Sequence, residues 1–239
     1  MTEISDETIE KLRQVSVATL ATALFKRGLR HQVIQDVRPL SQKGRNMVGP
    51  AFTLRYMPAR EDRNQLVEFR NPDHPQRKAI EDCPPGHVLV MDSRKSATAA
   101  SAGDILITRL MMRGAEGVVT DGGFRDAMNI AALEMRAYHN RPSAPTNLTT
   151  NEAIDINVPI GCGDAPVFPG DVVVGDDDSV IIVPAHLAVE VADEAVEMTA
   201  YEDFALERVK AGETIIGLYP ATKDENLEKF AAWRKSNNR

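Results

Sequence analysis

The chain reads as an α/β protein, and three features of its 239 residues predict this. Apolar residues return at helical spacing near both ends, strand-length apolar runs lie between them, and Gly117 to Asp126 has the strand, turn and charged exit of a parallel sheet in which helices follow strands. With 43% hydrophobic residues the chain can bury a sizeable core. One domain over residues 1–239 is therefore expected, with helical extensions at about 5–28 and about 222–236.

In chain order, Ser5-Asp6-Glu7 has the side chains of a helix start. Ile9, Leu12, Val15, Val17, Leu20 and Leu24 then share one broad face until Gly28, which predicts a single covering helix. Ala51 to Tyr56 reads as a strand. The segment from Pro58 to Pro75 carries Arg60, Glu61, Asp62, Arg63 and Arg70, and predicts a solvated loop with a short helix. Its alternative role is to bring Arg60 or Arg70 to a distal carboxylate of a bound substrate. Val88 to Asp92 is a strand, and the small residues from Ser93 to Ala102 form a connection where backbones can approach closely. Ile154 to Val158 alternates, and Val172-Val173-Val174 pairs with Val180 to Val183 across Gly175-Asp176-Asp177-Asp178-Ser179. Those aspartates lack the spacing and terminal glutamate of a calcium loop, so they read as a polar hairpin turn. Leu187, Val191, Ala195, Met198 and Phe204 place a long helix between His186 and Lys210, and a charged helix from Asp224 to Arg234 follows, anchored by Trp233.

The stretch from Gly103 to Asp126 carries the chemistry. Ile105, Leu106, Leu110 and Met111 form an apolar stripe behind Asp104, which predicts a helix that Asp104 caps and Gly114 ends. The first-turn N–H groups of such a helix suit a carboxylate or phosphate. Gly117 to Thr120 is a buried strand that runs into the turn Asp121-Gly122-Gly123. Arg125 and Asp126 follow at the carboxyl end of the strand, where parallel sheets commonly hold ligands. Alone, the pair fits a surface cation and a helix cap. Beside an anion cradle it fits a planar cation for a carboxylate or enolate oxygen and a hard oxygen ligand for Mg²⁺ or Mn²⁺.

Gly103-Asp104-Ile105-Leu106, Arg113-Gly114, Gly117, Asp121-Gly122 and Arg125-Asp126 together resemble the RraA-like family, with twenty residues between Asp104 and Arg125. This family includes the divalent-metal 4-hydroxy-4-methyl-2-oxoglutarate aldolases and the regulators of ribonuclease activity A. Weaker resemblance runs from about Val17 to Gly217, including Val48-Gly49-Pro50-Ala51 and Pro169-Gly170-Asp171. It implies a compact β-sandwich or barrel-like core flanked by helices, of the swivelling β/β/α type. It further implies that Gly103, Asp104, Ile105 and Leu106 cradle the carboxylate of a small 2-oxo acid, that Arg125 contacts substrate, and that Asp126 is the protein ligand of Mg²⁺ or Mn²⁺. Asp104 corresponds to the acid that holds water near the metal. The family's sites lie between subunits of a homotrimer or hexamer, and Glu202 is the position matched to a carboxylate arriving from the neighbour, with Asp203 and Glu207 close by in sequence.

The activity implied is that of a lyase that cleaves a 2-oxo acid through a pyruvate enolate, as an aldolase or oxaloacetate decarboxylase. Two alternatives stay open: a protein-binding regulator of ribonuclease activity, and a dehydratase or hydrolase of a sugar-derived 2-oxo acid. The net charge of −7 argues against an extended nucleic-acid surface. No apolar run is long enough to span a bilayer and no signal-like start is present, so no membrane partner and a cytoplasmic location are expected. Cys83 and Cys162 form neither a metal motif nor a disulfide framework and read as packing or loop residues. No two of the five histidines have metal-ligand spacing on one helix. No nucleophile elbow, phosphate loop or dinucleotide fingerprint occurs.

Overall fold

Residues 4–42 and 44–237 are described by a computed structural model. The expected covering helix is two helices, α1 (Asp6–Arg13) and α2 (Val17–Lys26). Each has its own serine cap: the Ser5 hydroxyl accepts the Thr8 N–H at 3.2 Å, and that of Ser16 accepts the Thr19 N–H at 3.0 Å. The second start is reinforced from far away in sequence, because Asp176 accepts the Val17 N–H at 2.8 Å. The apolar period runs through the break because both helices bury the same side.

Two short strands follow, β1 (Val33–Ile34) and β2 (Arg38–Pro39), before the long strand β3 (Met47–Pro58), which exceeds the predicted 51–56 at both ends. Next come α3 (Pro75–Asp82), β4 (Val88–Asp92), β5 (Ala100–Ala102), α4 (Asp104–Met112), β6 (Gly117–Thr120) and β7 (Gly123–Phe124). The chain continues through α5 (Ala127–Ala131), β8 (Arg136–His139), β9 (Arg141–Pro142) and β10 (Asn151–Ile156). A run of hairpins, β11 (Ile160–Cys162), β12 (Ala165–Val167), β13 (Val172–Gly175) and β14 (Val180–Val183), precedes α6 (Ala188–Lys210) and α7 (Asp224–Asn237).

Strand β3 organises the main sheet. Its first residues pair antiparallel with β13, its middle pairs in parallel with β4, and its end pairs antiparallel with β10 through a bulge at Ala153–Asp155. Among the described residues the sheet has nine strands, in the order β1-β14-β13-β3-β4-β6-β8-β2 with β10 beside β3. Strands β3, β4, β6 and β8 are parallel neighbours, linked by helices. The sheet curls, and helices flank it, as the resemblance implied.

Both faces of the sheet are covered, so its strands read as unbroken apolar runs. Leu89, Met91 and Val118 face one core with Ile80, Ile107 and Leu110 from α3 and α4. Val88, Val90, Val119, Val173 and Ile182 face a second core with Cys162 and Val167. A third core joins Val172, Val174, Ile181 and Val183 to Leu12, Leu20, Leu24, Val191 and Ala195 on α1, α2 and α6. Each fully buried Leu, Ile or Val contributes about 1.5–3 kcal/mol. The C-terminal helix docks separately, through Phe230 and Trp233 against Phe204. The Asp176–Ser179 hairpin turn is polar as expected, with Asp176 accepting the N–H groups of Asp178 and Ser179 at 2.9 Å. None of the described helices is long and apolar enough to cross a membrane.

Gly49 sits where β3 crosses under the loop before β4, and a Cβ there would collide with the Gly86 carbonyl oxygen, a rigid backbone group. Gly49→Ala should therefore lower unfolding stability by about 2 kcal/mol, the scale of an overpacked core. Urea denaturation checks this, and an unchanged midpoint would contradict it.

Candidate functional site

Three short strands outside the main sheet, β5, β7 and β9, form a small parallel sheet. Ala100 lies opposite Gly123 and Ala102 opposite Phe124, and the Arg125 N–H extends the pairing by donating to the Ala102 carbonyl at 3.1 Å. Gly103-Asp104 and Arg125-Asp126 thereby become neighbours although twenty residues separate them. Buried Asp121 holds the surrounding loops: it accepts backbone N–H groups from Ser93 at 2.7 Å, Lys95 at 3.0 Å and Gly163 at 3.1 Å. Burial pushes its carboxyl above the usual range in spite of those three donors.

Gly103 stands at the N-cap of α4, and a Cβ on it would lie 2.8 Å from Arg125 Cγ and 3.1 Å from Asp126 Oδ2. Only glycine permits this approach. Asp126 has φ 55° and ψ 35°, a left-handed conformation, and its side chain does not cap α5. Its carboxylate instead lies beside Gly103 and 3.3 Å from Arg125 Nε. The helix-cap reading of Asp126 is thus not what the structure adopts. Asp104 also differs from expectation, being the first residue of α4 rather than its cap. Its Oδ1 accepts the Ile105 N–H at 2.8 Å, and its Oδ2 accepts the Asn129 side-chain amide at 2.8 Å, tying α4 to α5. The stripe of α4 is rotated too. Ile107 and Leu110 are buried whereas Ile105 is 82% exposed, because Ile105 lies at the mouth of a cavity.

That cavity has a volume of about 450 Å³ and unites the predicted residues Gly103, Asp104, Ile105, Leu106, Arg125 and Asp126. Its lining also contains groups that the sequence did not disclose: Leu66 and Phe69 from the 58–75 segment, Gln76 and Arg77 from α3, and Asn147. Pro75 at the first helical position was the available signal for a helix start here. The segment is a loop with a short 3₁₀ turn at Leu66–Arg70, as predicted. Arg60 pairs with Asp62 at 2.7 Å, and neither Arg60 nor Arg70 lines the cavity. Glu202 lies elsewhere in the same chain, accepting from the Thr19 hydroxyl at 2.8 Å and the Tyr219 hydroxyl at 3.2 Å beside a separate cavity of about 410 Å³.

Asp104 and Asp126 present two carboxylates to one open cavity. Among the described residues no three His, Cys, Asp or Glu side chains converge as a closed metal cage. Two carboxylates beside room for water suit a hard ion of the Mg²⁺ or Mn²⁺ type, which keeps much of its hydration shell. Cys83 and Cys162 are both free and buried, and burial pushes the Cys83 thiol up to about 12, in keeping with packing roles.

Comparison with known proteins shows the family. A family model described as RraA-like, Aldolase/RraA, matches residues 2–182. The chain belongs to the RraA-like family. It is 30% identical over 208 residues, covering 87% of this chain and 90% of the relative, to a Halalkalibacterium halodurans protein whose name, a 4-hydroxy-4-methyl-2-oxoglutarate aldolase, is provisional. Streptomyces coelicolor RraAS2, described as an unusual member of the RNase ES inhibitor RraA protein family, superposes with a TM-score of 0.75 at 29% identity, over 86% of this chain and 98% of that one. An uncharacterised protein from Pseudomonas syringae pv. tomato shares the fold, with a TM-score of 0.77 at 22% identity over 92% of this chain and 100% of that one.

In this RraA-like chain His139, at the end of β8, stacks its ring on buried Phe124, the residue before Arg125, with centroids 5.7 Å apart. Burial holds the His139 imidazole down at about 4, and Nδ1 has no hydrogen-bond partner among the described residues. Because the folded value lies below the unfolded one near 6.5, the unfolded chain takes up this proton first as the pH falls. The His139 contribution to stability is present above about pH 6.5 and is lost toward pH 4, with a slope of up to about 1.4 kcal/mol per unit. Denaturation at pH 7 and pH 5 should show a smaller acid-side loss in His139→Gln than in the wild type; equal losses would contradict the buried neutral ring.

Proposed function

We propose that this protein is a divalent-metal lyase that releases pyruvate from a small 2-oxo acid, of the 4-hydroxy-4-methyl-2-oxoglutarate aldolase and oxaloacetate decarboxylase type. The observation that carries the reading is the contact of Gly103 with Arg125 and Asp126, which leaves a helix start, a planar cation and two carboxylates facing one cavity. The 30% identity to a protein named as such an aldolase supports it.

Asp126 would hold the divalent ion, with Asp104 reaching it through water, and the bound ion supplies Lewis-acid polarisation of the 2-oxo group. The remaining work falls to the chain. The first turn of α4, from Gly103 to Leu106, receives the substrate carboxylate at the positive end of the helix dipole. Arg125 offsets the charge that builds on the 2-oxo oxygen as the carbon–carbon bond opens, a contribution of about 3 kcal/mol for one well-placed donor. Asp104, its far oxygen fixed by Asn129, orients the water that takes the proton of the departing hydroxyl. Decarboxylation of oxaloacetate passes through the same enolate without that proton transfer, so one site serves both reactions.

The site is completed between subunits of a homotrimer or hexamer in this reading. Ile105 and Met128 are each 82% exposed and Met112 is 71% exposed, an apolar rim suited to a subunit contact, with Glu202 of a neighbouring copy as the arriving carboxylate. A second reading, a protein-binding regulator of ribonuclease activity, is favoured by the 29% identity with RraAS2. It gives the cradle no role.

Pyruvate release from 4-hydroxy-4-methyl-2-oxoglutarate and from oxaloacetate, with Mg²⁺ or Mn²⁺ and with a chelator, separates the two. Release should be chelator-sensitive and abolished in Asp126→Ala, whereas release no faster than the metal-only blank would favour the regulator. Arg125→Lys should lower kcat by about ten-fold or more, since lysine cannot reproduce a planar two-point contact. Wild-type turnover in that variant would refute the role given to Arg125.

A further inference from the structure

The cavity contains a second cation that the lyase chemistry leaves unused. Arg77, on the first turn of α3, faces the same cavity as Arg125 and Asp126. Its guanidinium carbon sits 4.1 Å from the centre of the Phe69 ring, and Nη1 donates to Gln76 Oε1 at 2.9 Å. Gln76 is itself immobile: it is buried, and its amide donates to the Ser101 carbonyl at 2.5 Å and to Asn147 Oδ1 at 3.2 Å. The guanidinium is therefore held from one side by an aromatic face and from another by a fixed neutral acceptor.

What it lacks is a counter-charge. Arg109 has Glu81 at 2.9 Å, Arg136 has Asp177 at 2.8 Å and Arg125 has Asp126 at 3.3 Å. Among the described residues no carboxylate lies within ion-pair distance of Arg77. Burial pulls its guanidinium below the usual arginine range, the mark of a cation desolvated without an anion to compensate. A half-buried arginine with one of its five donors used by a neutral amide is poised for a planar anion.

We infer that Arg77, seated on Phe69 and Gln76, binds a second carboxylate of the substrate at the end remote from its 2-oxo acid group, so that the protein selects dicarboxylic over monocarboxylic 2-oxo acids. The inference rests on the lyase reading in placing the 2-oxo end at Arg125 and Asp126. It reassigns to Arg77 the distal contact for which the sequence offered Arg60 or Arg70.

The test compares probes that differ only at the far end. Calorimetric titration of the full chain with 2-oxoglutarate and with 2-oxopentanoate, both in Mg²⁺, should show at least about ten-fold tighter binding of the dicarboxylate. The ratio should fall to within about two-fold in Arg77→Gln and be partly kept in Arg77→Lys. Arg77→Met, which keeps the stem on Phe69, stands in if the glutamine variant is unstable. A purely structural arginine would weaken both probes together and leave their ratio unchanged, and that result, or an absent preference in the wild type, would overturn the inference. A parallel turnover arm reads the lyase chemistry: 4-hydroxy-4-methyl-2-oxoglutarate yields two pyruvates, and 4-hydroxy-4-methyl-2-oxopentanoate yields pyruvate and acetone. A preference that depends on Arg77 with no pyruvate from either compound would sink the lyase reading and uphold the distal site. Pyruvate release with a preference indifferent to Arg77 would do the reverse.

Discussion

The hydrogen bond from the Arg125 N–H to the Ala102 carbonyl, continuing the parallel pairing of β5 with β7, is the contact on which the site depends. It sets two chain segments side by side just where each leaves its strand, one into α4 and the other into α5. Everything chemical follows from that register. A one-residue slip would turn Arg125 away from Gly103 and exchange the faces of the strands. Groups with no chemical role protect the register. Buried Asp121 ties Ser93, Lys95 and Gly163 together, and Gly122 and Gly123 pass within side-chain contact of Ser93 and Ser143.

Rigid support and an open site are divided cleanly. The parallel strands β4 and β6 are buried on both faces, so the turns after them inherit a stiff base. Arg125 and Asp126 remain half exposed at 51% and 41%, which keeps both available to a ligand and limits the stability that their ion pair can add. The left-handed backbone of Asp126 is a local cost of order 1 kcal/mol, and it turns the carboxylate away from the cap of α5 toward the cavity. In the lyase reading, function and stability pull in different directions at this residue.

The strands and the grouping of Gly103 to Leu106 with Arg125 and Asp126 were legible in the sequence because their signals are local. Val88 to Met91 and Gly117 to Thr120 are apolar runs of strand length, and Gly103 to Asp126 carries its glycines and charges at a recognisable spacing. What escaped depends on contacts between distant segments. The break between α1 and α2 is written in the cap of Ser16 and in Asp176, while the hydrophobic period runs on undisturbed. Ile105 breaks the stripe of α4 because it faces the cavity mouth. Arg77 resembles any charged residue on a short helix until the fold places Phe69 and Gln76 around it. Glu202 is a different case: its partners within the chain are Thr19 and Tyr219, and its proposed role belongs to an assembly of several copies.

The central claim is that the Gly103, Arg125 and Asp126 arrangement stabilises a pyruvate enolate, whatever the physiological substrate. Exchange of the pyruvate methyl protons with deuterated water, followed by NMR with Mg²⁺ and wild-type protein, tests it without that substrate. The account predicts exchange well above the metal-only blank, stopped by chelator and lost in Gly103→Ala, whose added methyl group would displace Arg125 and Asp126. Exchange at the blank rate, or undiminished in Gly103→Ala, would contradict it.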